Sequence, residues 1–221
     1  MRFFRMPFFF TSIQTEPTMI LDPQEMSASA VYHTLVSAIV PRPIAWVSTV
    51  SSDGIANLAP FSFFSGVTAS PPSVMFSPVN RPDGSSKDTV VNIRDNGQFV
   101  INVVPFALAE QMNQTSAEFP PEASEFEATG LTPSESQKVA PPWVKESPIQ
   151  MECELIQIVE IGDGPLAANV VIGKILLVRV ADQVTTDGRI DANKLDAIGR
   201  LGGRSYCRSL DQFELDRPKL R

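Results

Sequence analysis

The chain has 221 residues, which is enough for one domain of generous size or two small ones. Hydrophobic residues make up 43% of it and charged residues 19%, a balance that supports a sizeable core and argues against disorder. A net charge of −7 argues against a general nucleic-acid surface. An anionic ligand would therefore need a local cluster of positive charge.

The N-terminus is aromatic and basic, and begins MRFFRMPFFFTSIQTEPTMI. Pro7 interrupts its apolar run and no small-residue cleavage site follows, which makes it a poor secretory signal and too short to span a bilayer. We expect residues 1–21 to be a disordered extension, or an upstream start with Met19 as the more natural beginning, and residues 22–221 to form one domain. No later transmembrane pattern occurs, so the sequence predicts a cytoplasmic protein without a membrane partner.

Helix and strand patterns then alternate along the chain. Asp53-Gly54 supplies the positive φ of a hairpin turn, and Gly97 is a typical helix stop. The patterns predict a helix over 29–38, strands over 44–50 and from Ile55 onward, a strand over 73–79, a helix over 85–97, a strand over 98–104 and a helix over 105–117.

Residues 118–148 carry six prolines and only scattered apolar residues, which predicts a long excursion over the surface. Strand patterns resume at 149–161 and 169–184, separated by a GDGP turn, and a short helix and a Gly-rich loop follow. The sum is a mainly β fold with peripheral helices. Because strands far apart in sequence must pair, a closed or nearly closed barrel is the economical way to remove their edges.

Several classes of chemistry lack the residues they need. His33 is the single histidine and lies in a predicted helix, and no G-x-S-x-G motif occurs, which argues against a serine hydrolase. Cys153 and Cys207 lie far apart without metal-ligand spacing, so we expect no metal site and two free thiols in a reducing compartment. The G-x-G-x-x-G dinucleotide pattern is also absent.

Polar side chains interrupt the otherwise apolar stretch 41–72, and buried ones need partners or cost roughly 1–3 kcal/mol each. Pro60 within a strand forces an edge or a bulge and leaves nearby amides unpaired. Free amides beside phenylalanines would suit a planar heterocycle, although a bulged strand could equally satisfy its own backbone. The polar and aromatic residues concerned are Ser48, Thr49, Asn57, Ser62 and Ser65 with Phe61, Phe63 and Phe64.

The segment 80–92 places a turn before a predicted helix start. Ser85 and Asp88 have the spacing of a capping box, so plain helix capping is one interpretation. An anion site is the other, because a helix N-terminus offers free amides and a positive dipole end, provided that Asp88 points away. The supporting donors are Ser85, Ser86, Lys87 and Thr89. Both segments together indicate a phosphorylated aromatic cofactor, and flavin mononucleotide (FMN) fits both ends.

An ordered set of motifs resembles the flavin reductase-like family. It comprises YHTLVSAIVPRPIAWVST, NLAPFSFF, KDTVVNI, FVINVV, EFEATGLTPSES, PIQMECEL, VIGKILLVRV and IGRLGGRSY, and extends from about Asp22 to Asp216. The resemblance implies an FMN-binding split β-barrel, Greek-key-like and mainly β with short peripheral helices, and a homodimer.

The resemblance also implies which residues hold the cofactor, without any catalytic side chain. The ring and ribityl wall would be Ser48, Thr49, Asn57, Leu58, Ala59, Pro60, Phe61, Ser62, Phe63 and Phe64; the phosphate group would meet Ser86, Lys87 and Thr89, with Arg42 as a second cation; and Arg200, Gly203 and Tyr206 would close the site, from this subunit or from a dimer partner.

The reaction that the resemblance implies is hydride transfer from NAD(P)H to FMN, catalysed by a flavin reductase that can serve a flavin-dependent monooxygenase as its reductase component. The alternative is a non-catalytic FMN-binding electron-transfer protein with a protein donor. A more distant alternative is a split-barrel relative that binds another ligand, such as haem or a deazaflavin. With His33 as the single histidine, haem ligation by histidine is disfavoured.

Overall fold

The computed structural model describes residues 18–219. Residues 1–17 of the extension that is predicted to be disordered lie outside this range. Residues 18–21 are exposed and precede a 3₁₀ turn at Pro23–Glu25. Within the described range, no helix is long and apolar enough to cross a membrane.

Antiparallel strands form the framework of the fold. In chain order they are β1 Arg42–Pro43, β2 Ala45–Val50, β3 Ala56–Phe61, β4 Phe64–Ala69, β5 Pro72–Phe76, β6 Gln98–Asn102, β7 Pro133–Ser134, β8 Trp143–Val144, β9 Ile149–Ile161, β10 Ala168–Val180, β11 Thr185–Thr186, β12 Arg189–Ile190, β13 Ile198–Arg200 and β14 Tyr206–Arg208. Seven of them form one sheet in the order β3-β2-β6-β9-β10-β5-β4, and β1-β13-β14 form a smaller one. β3 and β4 are the edges of the large sheet.

Strand β2 is buried on both faces, which explains why its apolar residues Ala45, Trp46 and Val47 follow one another without alternation. Ala45 and Val47 belong to a core cluster with Phe76 and Phe99. Trp46 faces the opposite side and packs in a second cluster with residues of the helical connections. The hairpin predicted across the Asp-Gly turn is confirmed, since β2 and β3 pair directly.

The longest hairpin joins β9 to β10, each with 13 residues, and the predicted turn between them is confirmed. The predicted bounds of the first strand match the structure, whereas the second strand ends at Val180 and gives way to a 3₁₀ turn at Asp182–Val184. Gly173 of β10 lies against the Phe99 ring, where a Cβ atom would come within 2.3 Å of Phe99 Cζ. The absence of a side chain there lets the ring fill the barrel core.

Short helices surround the sheet. They are α1 Ala28–Ala38, α2 Asp88–Asn96, α3 Ala109–Gln114, α4 Glu125–Thr129 and α5 Ala192–Leu195. The helix predicted over 29–38 is confirmed, and the one predicted over 85–97 is confirmed from Asp88 onward. Gly97 ends α2 and adopts φ 71°, as a helix stop requires. The helix predicted over 105–117 is shorter, because a 3₁₀ turn at Phe106–Leu108 precedes α3.

The segment 118–148 does not simply run over the surface, and that prediction is wrong for its apolar residues. Phe126 of α4 is 1% exposed and packs with Leu131 in the core cluster beside β3. Trp143 and Val144 of β8 are buried as well. Polar anchoring supports this packing, since the buried Glu152 carboxylate accepts hydrogen bonds from two backbone amides of the segment.

Candidate functional site

The site begins at the free edge of strand β3. Pro60 lies in this edge strand, as its missing amide requires. The amide of Leu58, which the sequence predicts to be available to a ligand, donates instead to Glu125 Oε2 at 2.8 Å. Ser124 Oγ donates to the carbonyl of Ala56 at 2.7 Å. Helix α4 therefore covers the first half of the edge, and the open half is the part around Pro60.

The N-terminus of α2 faces this strand. Asn57 Nδ2 donates to Thr89 Oγ1 at 3.1 Å and joins the two elements. The predicted capping box does not form, because α2 starts at Asp88 with Lys87 as its N-cap residue. Ser85 lies before this start, and its hydroxyl donates to Asp83. The N-cap residue Lys87 makes no side-chain hydrogen bond to the first turn of α2, a place where backbone amides lack intrahelical acceptors.

Basic side chains flank this helix start. Lys87 Nζ lies 3.0 Å from Glu118 Oε1, in an exposed ion pair that lowers the pKa of Glu118. Arg81 lies 2.6 Å from Asp88 and also donates to the carbonyl of Ser86. Asp88 is thus held by Arg81. Arg81 is a cation of the site that sequence reasoning missed, although it stands in the same NRPDGSSKDT segment as Lys87.

A cavity of about 90 Å³, here the Lys87 cavity, lies between these elements. Its walls come from β3, the start of α2 and the segment 115–119 that follows α3. The lining residues are Asn57, Ala59, Pro60, Phe61, Arg81, Lys87, Asp88, Thr89, Thr115, Ser116, Ala117, Glu118, Phe119 and Glu125. The structure thereby brings together six of the predicted site residues, which are Asn57, Ala59, Pro60, Phe61, Lys87 and Thr89.

Other predicted site residues lie outside this cavity. Ser48 is fully buried and donates to the carbonyl of Pro142 at 2.5 Å, and Thr49 is fully buried and accepts from Asn92 Nδ2 at 3.0 Å. The side chain of Leu58 is fully buried in the core. Ser86 Oγ accepts from Arg94 at 3.2 Å. The hydroxyls on β2 therefore satisfy the protein's own groups.

Arg42 is buried and its guanidinium is committed to the protein. It donates to the carbonyl oxygens of Val36 at 2.5 Å, Ile39 at 2.7 Å and Leu201 at 3.1 Å, and to Ser62 Oγ at 3.3 Å. Burial lowers the pKa of Arg42. Its side chain does not line the Lys87 cavity, so Arg81 rather than Arg42 accompanies Lys87 there.

A second cavity of about 150 Å³, here the Arg200 cavity, lies on the other side of Pro60. Pairing of β1 with β13 places Arg200 opposite Arg42. Arg200 donates to the Tyr206 hydroxyl and, at 2.7 Å, to the carbonyl of Gly203, whose φ of 59° bends the loop back. Arg200, Gly203 and Tyr206, the residues predicted to close the site, therefore form one cluster. Pro60 lines both cavities and separates this cluster from Lys87.

Phe63 and Phe64 line a third, apolar cleft of about 420 Å³, here the Phe63 cleft. The ring of Phe63 packs edge-on against Tyr32, with 6.4 Å between the ring centroids. Ile39 and Met75, exposed by 51% and 40%, border the same cleft. Ser62 lines both this cleft and the Arg200 cavity.

The mainly β fold places an open sheet edge opposite a helix start that Lys87 and Arg81 flank. The chain belongs to the flavin reductase-like family, because the profile of the flavin reductase like domain matches residues 37–194. The predicted family and fold are confirmed.

Three solved structures resemble this chain over most of its length. The chain is 36% identical to nitrilotriacetate monooxygenase component B from Bacillus cereus, with a TM-score of 0.86 over 91% of this chain and 100% of that one. It is 28% identical to 2-nitrobenzoate 2-nitroreductase from Pseudomonas fluorescens, with a TM-score of 0.82 over 92% and 98%. It is also 29% identical to a flavin-reductase-type protein with a split barrel domain from Shewanella frigidimarina, with a TM-score of 0.77 over 91% and 100%.

The donors in the Lys87 cavity fit the phosphate group of a flavin cofactor. Backbone amides at the start of a helix and a lysine ammonium are the groups that proteins use for phosphate. Arg81 adds a second positive charge, while Asp88 and Glu118 line the same cavity in ion pairs with Arg81 and Lys87, so the expectation that Asp88 points away is wrong. The apolar side chains of Pro60 and Phe61 form the continuation of the wall away from this charge. A ligand with a charged end and a flat apolar end matches this order of groups.

Proposed function

We propose that the protein binds FMN and is an NAD(P)H-dependent flavin reductase. The observation that carries the proposal is the juxtaposition of the β3 edge with the uncapped, basic start of α2, within a chain of the flavin reductase-like family. FMN, when bound, supplies the hydride-accepting chemistry, while the protein contributes binding, orientation and exclusion of water.

Each part of the cavity has a role in this proposal. Lys87, Arg81 and the amides of the first α2 turn bind the phosphate group. Asn57, which donates to Thr89, and the backbone of β3 up to Pro60 orient the planar part of FMN.

A covalent mechanism through Cys153 is disfavoured, because burial raises the pKa of its thiol to about 12 and leaves the thiol neutral at physiological pH.

We further propose that the protein is a homodimer and that a flavin-dependent monooxygenase takes up the reduced flavin. Its likeness to a protein named as component B of a monooxygenase supports such a partner. The exposed apolar side chains around the Phe63 cleft support an interface with a second copy. Free thiols at Cys153 and Cys207 support a reducing, cytoplasmic location.

The test is the visible spectrum of the purified protein with FMN, followed by anaerobic addition of NADH and then NADPH. We expect the oxidised flavin bands to bleach rapidly with one nicotinamide, and NADH or NADPH oxidation to continue in air. An FMN-binding electron carrier would keep its bands with both nicotinamides and lose them with a reduced protein donor. Absence of any flavin binding would refute the proposal.

A further inference from the structure

The Arg200 cavity has the composition of an anion site. Its lining consists of Tyr32, Ile44, Pro60, Ser62, Met112, Arg200 and Tyr206, without a carboxylate. Within residues 18–219, no Asp or Glu oxygen forms a salt bridge with Arg200, whereas Arg81, Lys87, Arg94 and Arg208 are each paired with one. Arg200 thus brings a positive charge to a cavity wall without a carboxylate partner in its lining.

Contacts within the protein hold the Arg200 guanidinium in place and use only some of its N–H groups. Its side chain lies over the Tyr206 ring, with 4.4 Å from Cζ to the ring centroid, and donates to the Tyr206 hydroxyl and to the carbonyl of Gly203. The Tyr206 hydroxyl in turn donates to Asn113 Oδ1 at 3.3 Å. A guanidinium has five N–H groups, so three remain for a ligand.

Further donors converge on the same cavity. Ser62 Oγ accepts from Arg42 Nε at 3.3 Å, and within the described residues its own proton has no acceptor. The Tyr32 hydroxyl has no hydrogen-bond partner there either, and Tyr32 lines the cavity. Two hydroxyl donors and a guanidinium without an acidic neighbour favour a phosphate or carboxylate oxygen.

We propose that the Arg200 cavity binds one anionic group, a phosphate or a carboxylate, of the redox co-substrate. The inference rests on the proposed function, since it takes the Lys87 cavity for the flavin phosphate. Pro60 lines both cavities, so a co-substrate held by Arg200 would lie beside the wall that orients the flavin. The volume of about 150 Å³ suits one charged group and not a whole dinucleotide, which would extend into solvent.

The kinetic test compares a charged with an uncharged hydride donor. Arg200→Gln is assayed with NADH and with N-benzyl-1,4-dihydronicotinamide, which carries no phosphate. We expect the ratio of the NADH KM to the neutral-donor KM to rise about tenfold or more, the scale of a lost charged hydrogen bond. Arg204→Gln removes the same charge from the same loop at an exposed position and is the matched control. A ratio that rises equally in both variants contradicts the proposal.

Calorimetry with the FMN-loaded protein separates the two sources of the anion. Binding of ADP-ribose that Arg200→Gln abolishes and Arg204→Gln keeps assigns the cavity to the phosphates of a nicotinamide donor. The same pattern with benzoate assigns it to the carboxylate of an acceptor. If NADH is not oxidised but either ligand binds through Arg200, the inference holds and the reductase function fails. If neither ligand binds the wild-type protein and the KM ratio is unchanged, the inference is wrong.

Discussion

The buried carboxylate of Glu125 accepts a hydrogen bond from the backbone amide of Leu58, with 2.8 Å between Oε2 and the nitrogen. This contact joins α4 to the free edge of β3 and takes the place of a missing neighbouring strand. Glu125 is 6% exposed, and burial, its largest influence, raises the pKa of the carboxyl group even though the Leu58 amide lowers it. A strand edge that carries part of the candidate site is thus anchored by a titrating group.

The first prediction concerns the pH dependence of stability at Glu125. Because its pKa is raised in the folded protein, its contribution to the free energy of unfolding is fully present below the ordinary value of 4.5 and is lost as pH rises through the folded-state pKa. Glu125→Gln keeps the acceptor oxygen and does not titrate. We expect the stability of this variant relative to wild type to increase from acid to neutral pH, measured by urea denaturation at several pH values.

Glu127→Gln is the matched control for that series, since Glu127 lies on the exposed side of the same helix. Its stability relative to wild type should stay within about 0.5 kcal/mol at every pH, as for other surface substitutions. Parallel curves for the two variants would contradict the role given to burial at Glu125.

The second prediction concerns the affinity for FMN. Lys87→Ala removes the ammonium from the Lys87 cavity and should weaken binding by about 1–3 kcal/mol, the scale of a charged hydrogen bond. Glu118→Gln should act in the opposite direction, because it frees Lys87 from an exposed ion pair. Fluorescence titration of FMN measures both.

Lys138→Ala serves as the control for charge, since Lys138 is exposed on the 118–148 segment and does not line the Lys87 cavity. Equal losses of FMN affinity in Lys87→Ala and Lys138→Ala would show that the loss comes from the change in net charge and not from a contact of Lys87 with the phosphate group. An unchanged affinity in Lys87→Ala would show that the phosphate group is bound elsewhere.

Packing at Gly173 gives the third prediction. A Cβ atom at this position would come within 2.3 Å of Phe99 Cζ, and Phe99 is fully buried in the core. Gly173→Ala should therefore cost about 1–3 kcal/mol of unfolding free energy through overpacking. Gly66→Ala, on β4 with open space around its Cβ position, should cost clearly less. Similar urea midpoints for the two variants would mean that Phe99 moves aside freely.

Local patterns predicted much of this fold correctly. The strand over 149–161 and the helix stop at Gly97 depend on periodicity and on one residue's preferred φ, and both occur as predicted. The capping box at Ser85 failed because Lys87, and not Ser85, is the N-cap residue of α2. A local pattern indicates that a helix forms, but it does not fix the residue at which the helix begins.

The site was harder to predict, because its contacts join residues far apart in sequence. Ser48 and Thr49 needed partners, as the sequence indicates, and found them in Pro142 and Asn92 rather than in a cavity. Glu125 lies in a proline-rich segment that the sequence predicts to run over the surface, yet its carboxylate accepts a hydrogen bond from the edge of β3. The sequence shows that a buried polar group needs a partner, and only the tertiary structure shows which one.

The last prediction concerns the segment that forms one wall of the Lys87 cavity. Buried Trp46 donates through Nε1 to Thr115 Oγ1 at 2.9 Å, and Thr115 is itself buried at the end of α3. Thr115→Val preserves shape and leaves the indole N–H without an acceptor, so we expect a loss of about 1–3 kcal/mol in unfolding free energy. Ser116→Ala alters the neighbouring, exposed hydroxyl and should change stability by less than about 0.5 kcal/mol. Urea denaturation followed by circular dichroism measures both, and equal stability of the two variants would show that the Trp46 contact does not hold this wall.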